Sequence, residues 1–268
     1  MRETAYAKIN LALHVRALEP DGYHRIETVF AFCEDGDLIS VAASGRIELQ
    51  VTGAFADALA GDNDNLVLRA ARTLAKRHDI PSGAALKLDK RLPVAAGIGG
   101  GSADAAAALR LLARWWDLPN DEAASLEIAA GLGADVPACL SSRTARGEGR
   151  GDRLRPLTEA GLAGTPLLLV NPGRPLSTAA VFEGWDGVDR GPLEAWQDGR
   201  NDLEPAAAAL VPGIADVLAA LAGARFARMS GSGATCFGLY RSDEERDAAA
   251  AAIAAEFPSW WLLSTRLR

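Results

Sequence analysis

The chain has 268 residues, of which 49% are hydrophobic and 24% charged, and its formal net charge is −7. That length suits one large domain or two modest ones sharing a cleft, and the composition suits a globular fold with a substantial core. An acidic chain with no basic stripe interleaved with aromatics excludes a nucleic-acid footprint, so any anionic ligand has to be held by local groups against the overall field.

In chain order, Ala5 to Val15 is expected to be a strand, with Lys8 and Asn10 on the face opposite Ile9 and Leu11 because side chains alternate. Pro20-Asp-Gly22 reads as a turn, followed directly by Tyr23 and His24. Ile26 to Phe32 and Asp37 to Val41 predict two strands joined by a polar turn, Glu34-Asp-Gly-Asp37, and Ile47 to Val51 predicts another. Asn63-Asp-Asn65 is expected to cap a helix running through Leu66, Ala70, Leu74 and Lys76. An alternating apolar run, Ala85 to Lys90, then leads into Pro93-Val-Ala-Ala-Gly-Ile-Gly-Gly-Gly-Ser102 and an alanine-rich helix to about Trp116. A second helix is predicted near Asp121 to Gly131, and Gly133-Ala-Asp-Val-Pro137 breaks its pattern.

Arg146 to Asp152 reads as a flexible stretch or hairpin turn and is the candidate domain boundary, giving domains 1–152 and 153–268. Beyond it, a strand is expected at Leu167 to Val170, a helix at Ser177 to Phe182 and a loop at Glu183 to Asp198. A helix near Ile214 to Leu221 precedes Phe226 to Tyr240, which contains Ser230-Gly-Ser-Gly-Ala-Thr235. A helix at Glu244 to Phe257 and a strand at Trp260 to Arg266 close the chain. Strands and helices without regular alternation point to an α+β fold. Cys33, Cys139 and Cys236 lie far apart with no Cys-x-x-Cys pair, which argues against a disulfide framework and suits a reducing compartment. No signal-peptide core or membrane-length apolar run is seen, so the expected location is the cytoplasm.

The glycine stretch carries the chemistry. Glycines at 97, 99, 100 and 101 remove Cβ atoms where a backbone has to approach a partner closely or take positive φ. Ser102 is expected as the N-cap of the following helix, whose free N–H groups and positive dipole end make an anion site. A P-loop is excluded because no lysine precedes Ser102, and the dinucleotide fingerprint fails at its last glycine position. Phosphate is the expected guest.

Three polar clusters stand in apolar surroundings: Lys8 with Asn10, the glycine loop, and Ser230 to Thr235. With Asp21-Gly-Tyr-His24, Asp64-Asn-Leu66 and Gly133-Ala-Asp-Val-Pro137, their order and spacing resemble the GHMP kinase superfamily over nearly the whole chain. Within it they resemble the branch that phosphorylates a cytidine diphosphate-linked methylerythritol in the non-mevalonate isoprenoid pathway. The resemblance implies a two-domain GHMP kinase fold with the active site in the cleft between domains, ATP as co-substrate and Mg²⁺ with ligands unassigned. It implies Asp135 and Lys8 as catalytic residues. Asn65, Lys90, Pro93, Gly97, Gly99, Gly100, Gly101 and Ser102 are implied at the nucleotide, and Asn10, Tyr23, His24, Thr178 and Phe182 at the acceptor. Neither nucleic acid nor membrane is implied as a partner.

On residue pattern alone several of these stay open. Asp135 fits a helix N-cap as well as a base, and Tyr23 and His24 fit turn packing as well as ligand contact. Phe182 fits a core position, and Lys8 a surface lysine. Asp104, two residues past Ser102, is unfavourable beside phosphates unless it caps the helix or binds the metal. Tyr6 stands where many members of the family have proline. A GHMP kinase for mevalonate-type or homoserine substrates, or a nucleotide-binding regulator with a disabled site, are the competing readings.

Overall fold

The computed structural model describes residues 1–61, 64–158 and 161–268; Asn63, part of the expected helix cap, lies outside them. The chain divides into two compact units that are interleaved in sequence. The first comprises Met1–Ala7, Asp35–Val94 and Gly99–Ser142, and the second Lys8–Glu34, Ala95–Ile98 and Arg143–Arg268. The expected boundary at Asp152 therefore falls inside the second unit.

Two long strands, β1 (Arg2–Leu18) and β2 (His24–Ser44), pair with each other, and each runs through both units. In the first unit, Leu38–Ser44 of β2 pairs antiparallel with β4 (Gly83–Asp89), which pairs parallel with β3 (Ile47–Thr52). Among its described residues, this unit also holds the α-helices α1 (Leu66–Arg77), α2 (Gly100–Trp115), α3 (Glu122–Leu132) and α4 (Val136–Ser141). The helix α2 packs on both α1 and α4. Its buried Ala103 and Ala105 to Ala108 present almost no side-chain bulk, so neighbouring backbones come close.

In the second unit, Ile26–Phe30 of β2 pairs antiparallel with β5 (Ala145–Gly149), and β5 with β6 (Arg153–Pro156). Residues 146–152 are thus a strand end and a hairpin turn. A separate four-stranded sheet has the order β10 (Trp261–Arg266), β7 (Pro166–Asn171), β9 (Cys236–Leu239), β8 (Phe226–Met229). It is covered by α5 (Thr178–Glu183), α6 (Glu204–Leu210), α7 (Gly213–Ala220) and α8 (Asp243–Glu256), through a core that includes Leu168, Val170, Val181, Ile214, Val217, Met229 and Ile253. The helix α6 has no counterpart among the sequence expectations; its first turn holds Pro205, where a missing N–H costs nothing. Among the described residues, no helix is long and apolar enough to cross a membrane.

The largest departure concerns Glu34-Asp-Gly-Asp37, expected as a turn between two strands. These residues lie inside the single strand β2. Gly36 is there because a Cβ would collide with the carbonyl oxygen of Ala5 and lie 2.9 Å from the Tyr6 Cα. Close approach, not a reversal, demands the glycine. Gly36→Ala should therefore cost about 1–3 kcal/mol, as overpacking does. Gly45→Ala, where a Cβ meets nothing within 4 Å, should stay within about 0.5 kcal/mol of wild type. Denaturant unfolding of the two variants checks the difference; equal effects would contradict this account.

Candidate active site

The glycine loop is shaped by alternation of backbone hand. Ala95 (φ 52°), Gly97 (φ 75°) and Gly99 (φ 63°) lie in the left-handed region, and the intervening residues do not. Such alternation turns successive amides toward one concave side, a recurring anion cradle. The carbonyls are all accounted for elsewhere. Those of Ala95, Ala96 and Ile98 accept from the backbone N–H groups of Leu176 (3.4 Å), Thr235 (3.2 Å) and Lys8 (3.0 Å). The Gly97 carbonyl accepts from Ser230 Oγ at 2.9 Å, and that of Gly99 from Ala103 N at 2.8 Å. In a trans peptide the next N–H points opposite its carbonyl, so the amides of residues 96–100 face away from these partners.

Gly97 cannot carry a side chain: a Cβ would sit 2.5 Å from the Ser230 carbonyl oxygen and 2.6 Å from that of Gly233. The Ser230–Thr235 turn is thereby pressed against the loop. Ser102 is not the N-cap of α2. Gly99 takes that position in left-handed conformation, and Ser102 falls in the first turn, because the φ that closes the loop is one only glycine adopts readily. The first-turn N–H groups of α2 have no intrahelical partner, and they extend the donor set.

Lys8 lies on β1 and is 3% exposed. Its Nζ donates to Asn10 Oδ1 at 3.1 Å and stands 4.5 Å from the Phe30 ring centroid. Asn10 Nδ2 donates to Thr28 Oγ1 (2.7 Å), which donates to the Ala12 carbonyl (2.6 Å). Asn10 N donates to Ser230 Oγ at 3.1 Å. These bonds fix which way the Asn10 amide points, so its oxygen faces the ammonium. Asn10 is 2% exposed and holds Lys8.

Asp135 stands at the N-cap position of α4, yet its side chain makes no capping hydrogen bond. Its backbone carbonyl accepts from Cys139 N at 3.1 Å, and Pro137 in the first turn removes one donor that a cap would serve. The half-buried carboxylate is thus not spent on capping. Asn65 does cap its helix: Oδ1 accepts from Val67 N at 2.9 Å.

Tyr23 and His24 follow a turn in which Asp21 Oδ1 accepts from Tyr23 N. Tyr23 is 54% exposed, with the Arg150 guanidinium 3.7 Å from its ring centroid. The His24 ring centroid is 4.9 Å from that of Phe182 and 5.5 Å, edge to face, from that of Trp185. Burial lowers the His24 pKa, favouring the neutral imidazole. Thr178, exposed at the start of α5, shares a 2.9 Å hydrogen bond with Ser232. Arg150 and Trp185 are absent from the sequence-based set, whereas Ser232 lies in the Ser230–Thr235 cluster; Arg150, between two glycines, gives no signal of ring stacking.

Lys90 is 1% exposed and lies between two carboxylates, Asp37 Oδ2 and, at 2.8 Å, Asp104 Oδ2. Asp104 therefore neither caps α2 nor points to a metal. Burial pushes its pKa up to about 7, against the pull of Lys90. No group of three or more His, Cys, Asp or Glu among the described residues is arranged to hold a metal ion.

Taken together, the α+β architecture and the donor-rich loop are those of a small-molecule phosphotransferase. The sequence matches the GHMP kinases N terminal domain over residues 65–143 and the GHMP kinases C terminal domain over residues 188–259, and the chain belongs to the GHMP kinase family. It is 56% identical to a 4-diphosphocytidyl-2-C-methyl-D-erythritol kinase of Rhizorhabdus wittichii, covering 99% of this chain and 94% of that protein. A protein of the same name from Sphingopyxis alaskensis is 50% identical, with 100% and 99% covered. A solved structure of 4-(cytidine 5'-diphospho)-2C-methyl-D-erythritol kinase superposes with a TM-score of 0.83 at 34% identity, covering 99% of each chain. A Methanococcus jannaschii mevalonate kinase shares the fold alone, with a TM-score of 0.72 at 10% identity, covering 100% of this chain and 98% of that one.

The raised Asp104 pKa has a sign that can be measured. Between about pH 4 and 7 the folded chain keeps a proton on Asp104 that the unfolded chain releases, so this group's contribution to stability falls as pH rises. Asparagine does not titrate. The melting temperature of Asp104→Asn relative to wild type should therefore improve from pH 5 to pH 8; a pH-independent difference would contradict the assignment.

Proposed function

We propose that the chain is an ATP-dependent kinase that transfers a phosphoryl group to the 2-hydroxyl of 4-diphosphocytidyl-2-C-methyl-D-erythritol, a step in non-mevalonate isoprenoid precursor supply. The names of relatives about half identical over their whole length support the substrate. The observation that carries the chemistry is the loop at 95–99, whose carbonyls are all consumed inside the protein while its amides face away from those partners. Phosphoryl transfer asks for positioning and charge neutralisation more than for covalent chemistry.

In this reading the amides of Gly97, Gly99, Gly100, Gly101 and Ser102 bind ATP phosphates, with Pro93 and Asn65 beside the nucleotide. The acceptor hydroxyl oxygen forms the new bond to phosphorus, the β–γ bridging bond breaks, and ADP leaves with that electron pair. Asp135 takes the hydroxyl proton. Lys8, held by Asn10, stabilises negative charge developing on the reacting oxygens. Tyr23 and Phe182 stack on the cytosine ring, His24 reads its edge, and Thr178 closes that pocket. Magnesium, as counter-ion of the nucleotide, would be carried by the phosphates themselves. The sequence modules 1–152 and 153–268 are supported by family matches falling on either side of the division. Three buried cysteines, none of them in a disulfide, suit a cytoplasmic location.

ADP release measured with and without the cytidylylated acceptor tests the function: turnover should depend on the acceptor, and acceptor-independent hydrolysis would contradict it. Asp135→Asn should bind both ligands yet lose about 10²–10⁴-fold in kcat, since an amide cannot accept the proton; activity within a few-fold of wild type would remove Asp135 as the base. The uridine analogue should be a poor acceptor, because a site built for one hydrogen-bond pattern leaves groups unpaired with the other at about 1–3 kcal/mol each. His24→Ala should narrow the cytidine preference in kcat/KM, whereas Tyr23→Leu should weaken both analogues alike. Indifference of wild type to the base would sink the pocket assignment.

A further inference from the structure

Lys90 sits badly as a direct ligand of nucleotide. It is 1% exposed, and two of its three donors are taken by Asp37 and Asp104. Its backbone is fixed as well: N donates to the Thr52 carbonyl at 2.6 Å, and its own carbonyl accepts from Phe55 N at 3.1 Å. Asp37, on β2, is equally committed. Its Oδ1 accepts from Arg91 N (2.6 Å) and Leu92 N (2.8 Å), the residues that lead into the glycine loop. Asp104, on the second turn of α2, is 2% exposed and keeps its Oδ1 without a hydrogen-bond partner. One cation thus ties three segments together: β2, the end of β4 and α2.

What lies beside that cation is the first residue of α2. A Cβ on Gly100 would stand 3.0 Å from Lys90 Nζ and 3.9 Å from Asp37 Oδ2. A lysine clamped on both sides cannot swing away, so the Gly100 backbone rests on a fixed ammonium. On Gly101 a Cβ would meet only Leu66 Cδ1, at an ordinary 3.8 Å. We propose that Lys90 is a positioning residue, whose ammonium, clamped between Asp37 and Asp104, sets the height of the first turn of α2 and thereby the placement of the loop amides on the phosphates of ATP.

This rests on the reading of the loop as the phosphate cradle. The physical need is plain. Without the ammonium, Asp37 and Asp104 lose the donor they share directly beside the first turn of α2, and their rehydration lifts the turn. Hydrogen bonds to phosphate tolerate a few tenths of an ångström before they weaken, so a displaced turn loses nucleotide affinity first. Acceptor-binding residues belong to other segments and are spared.

Charge and position separate in three variants. Lys90→Met keeps length and removes charge; Lys90→Arg keeps charge but needs room that the Gly100 backbone occupies; Asp37→Asn keeps the lysine and frees it from the clamp. Calorimetric titration with β,γ-imido-ATP and, separately, with the cytidylylated acceptor reads all three, with thermal melting reporting the fold. The positioning role predicts that Lys90→Met and Lys90→Arg each weaken the nucleotide analogue about 10-fold or more, with acceptor affinity within about twofold of wild type. Analogue binding by Lys90→Arg within about twofold of wild type would mean a direct charge contact and overturn the proposal, as would equal loss of both ligands in a folded variant. Should the lysine variants fail to fold, Asp37→Asn decides: weaker analogue binding supports positioning, and unchanged or tighter binding overturns it. Wild type is titrated first. Failure of wild type to bind the analogue removes the nucleotide reading, and this inference with it; an intact wild type with the wrong variant pattern removes this inference alone.

Discussion

An acidic chain that is to bind a polyphosphate has to make its positive potential locally, and in the proposed reading the backbone makes it. The carbonyls of five consecutive loop residues are drawn into hydrogen bonds with Leu176, Thr235, Ser230, Lys8 and Ala103. Those bonds leave the opposed amides as donors and place them at the mouth of a helix whose dipole points the same way. Loop bonds reach segments separated from it by more than 80 residues on either side, so the cradle cannot form until much of the chain has folded. The site is in this sense a product of the whole fold and not of the glycine motif alone.

The same economy appears in the charged residues. Lys8 is held by one asparagine, which is itself oriented by a threonine and a serine. Lys90 is enclosed by two aspartates. The two buried cations thus differ in surrounding: Lys8 donates to an amide oxygen, and Lys90 to two carboxylates.

Much of this was legible in the sequence, but unevenly. The Gly97 to Gly101 pattern announced close backbone approach, and the structure gives it physical form at Gly97, where no Cβ fits. Asn65 reads as a helix cap because its side chain acts within two residues, whereas the caps Asp121 and Ser242 emerge only in the structure. Ser102 reads as a cap for the same local reason and is not one, because loop closure needs the left-handed residue at Gly99. Glu34 to Asp37 has turn composition, yet its glycine answers to Ala5 and its aspartate to Lys90, partners that no local pattern reveals. Asp104 likewise looked ill placed until its partner, 14 residues earlier, was seen beneath the helix. The Trp185 edge against His24 belongs to the same class of long-range fact.

The central claim is that this chain moves the terminal phosphoryl group of ATP onto one particular oxygen. The direct test is ³¹P nuclear magnetic resonance of the product formed by wild-type enzyme from ATP and 4-diphosphocytidyl-2-C-methyl-D-erythritol. The account predicts a new phosphate monoester with no coupling to a carbinol proton, as a tertiary 2-hydroxyl requires, appearing in step with ADP. A monoester coupled to carbinol protons, or ADP and inorganic phosphate with the acceptor unchanged, would contradict it.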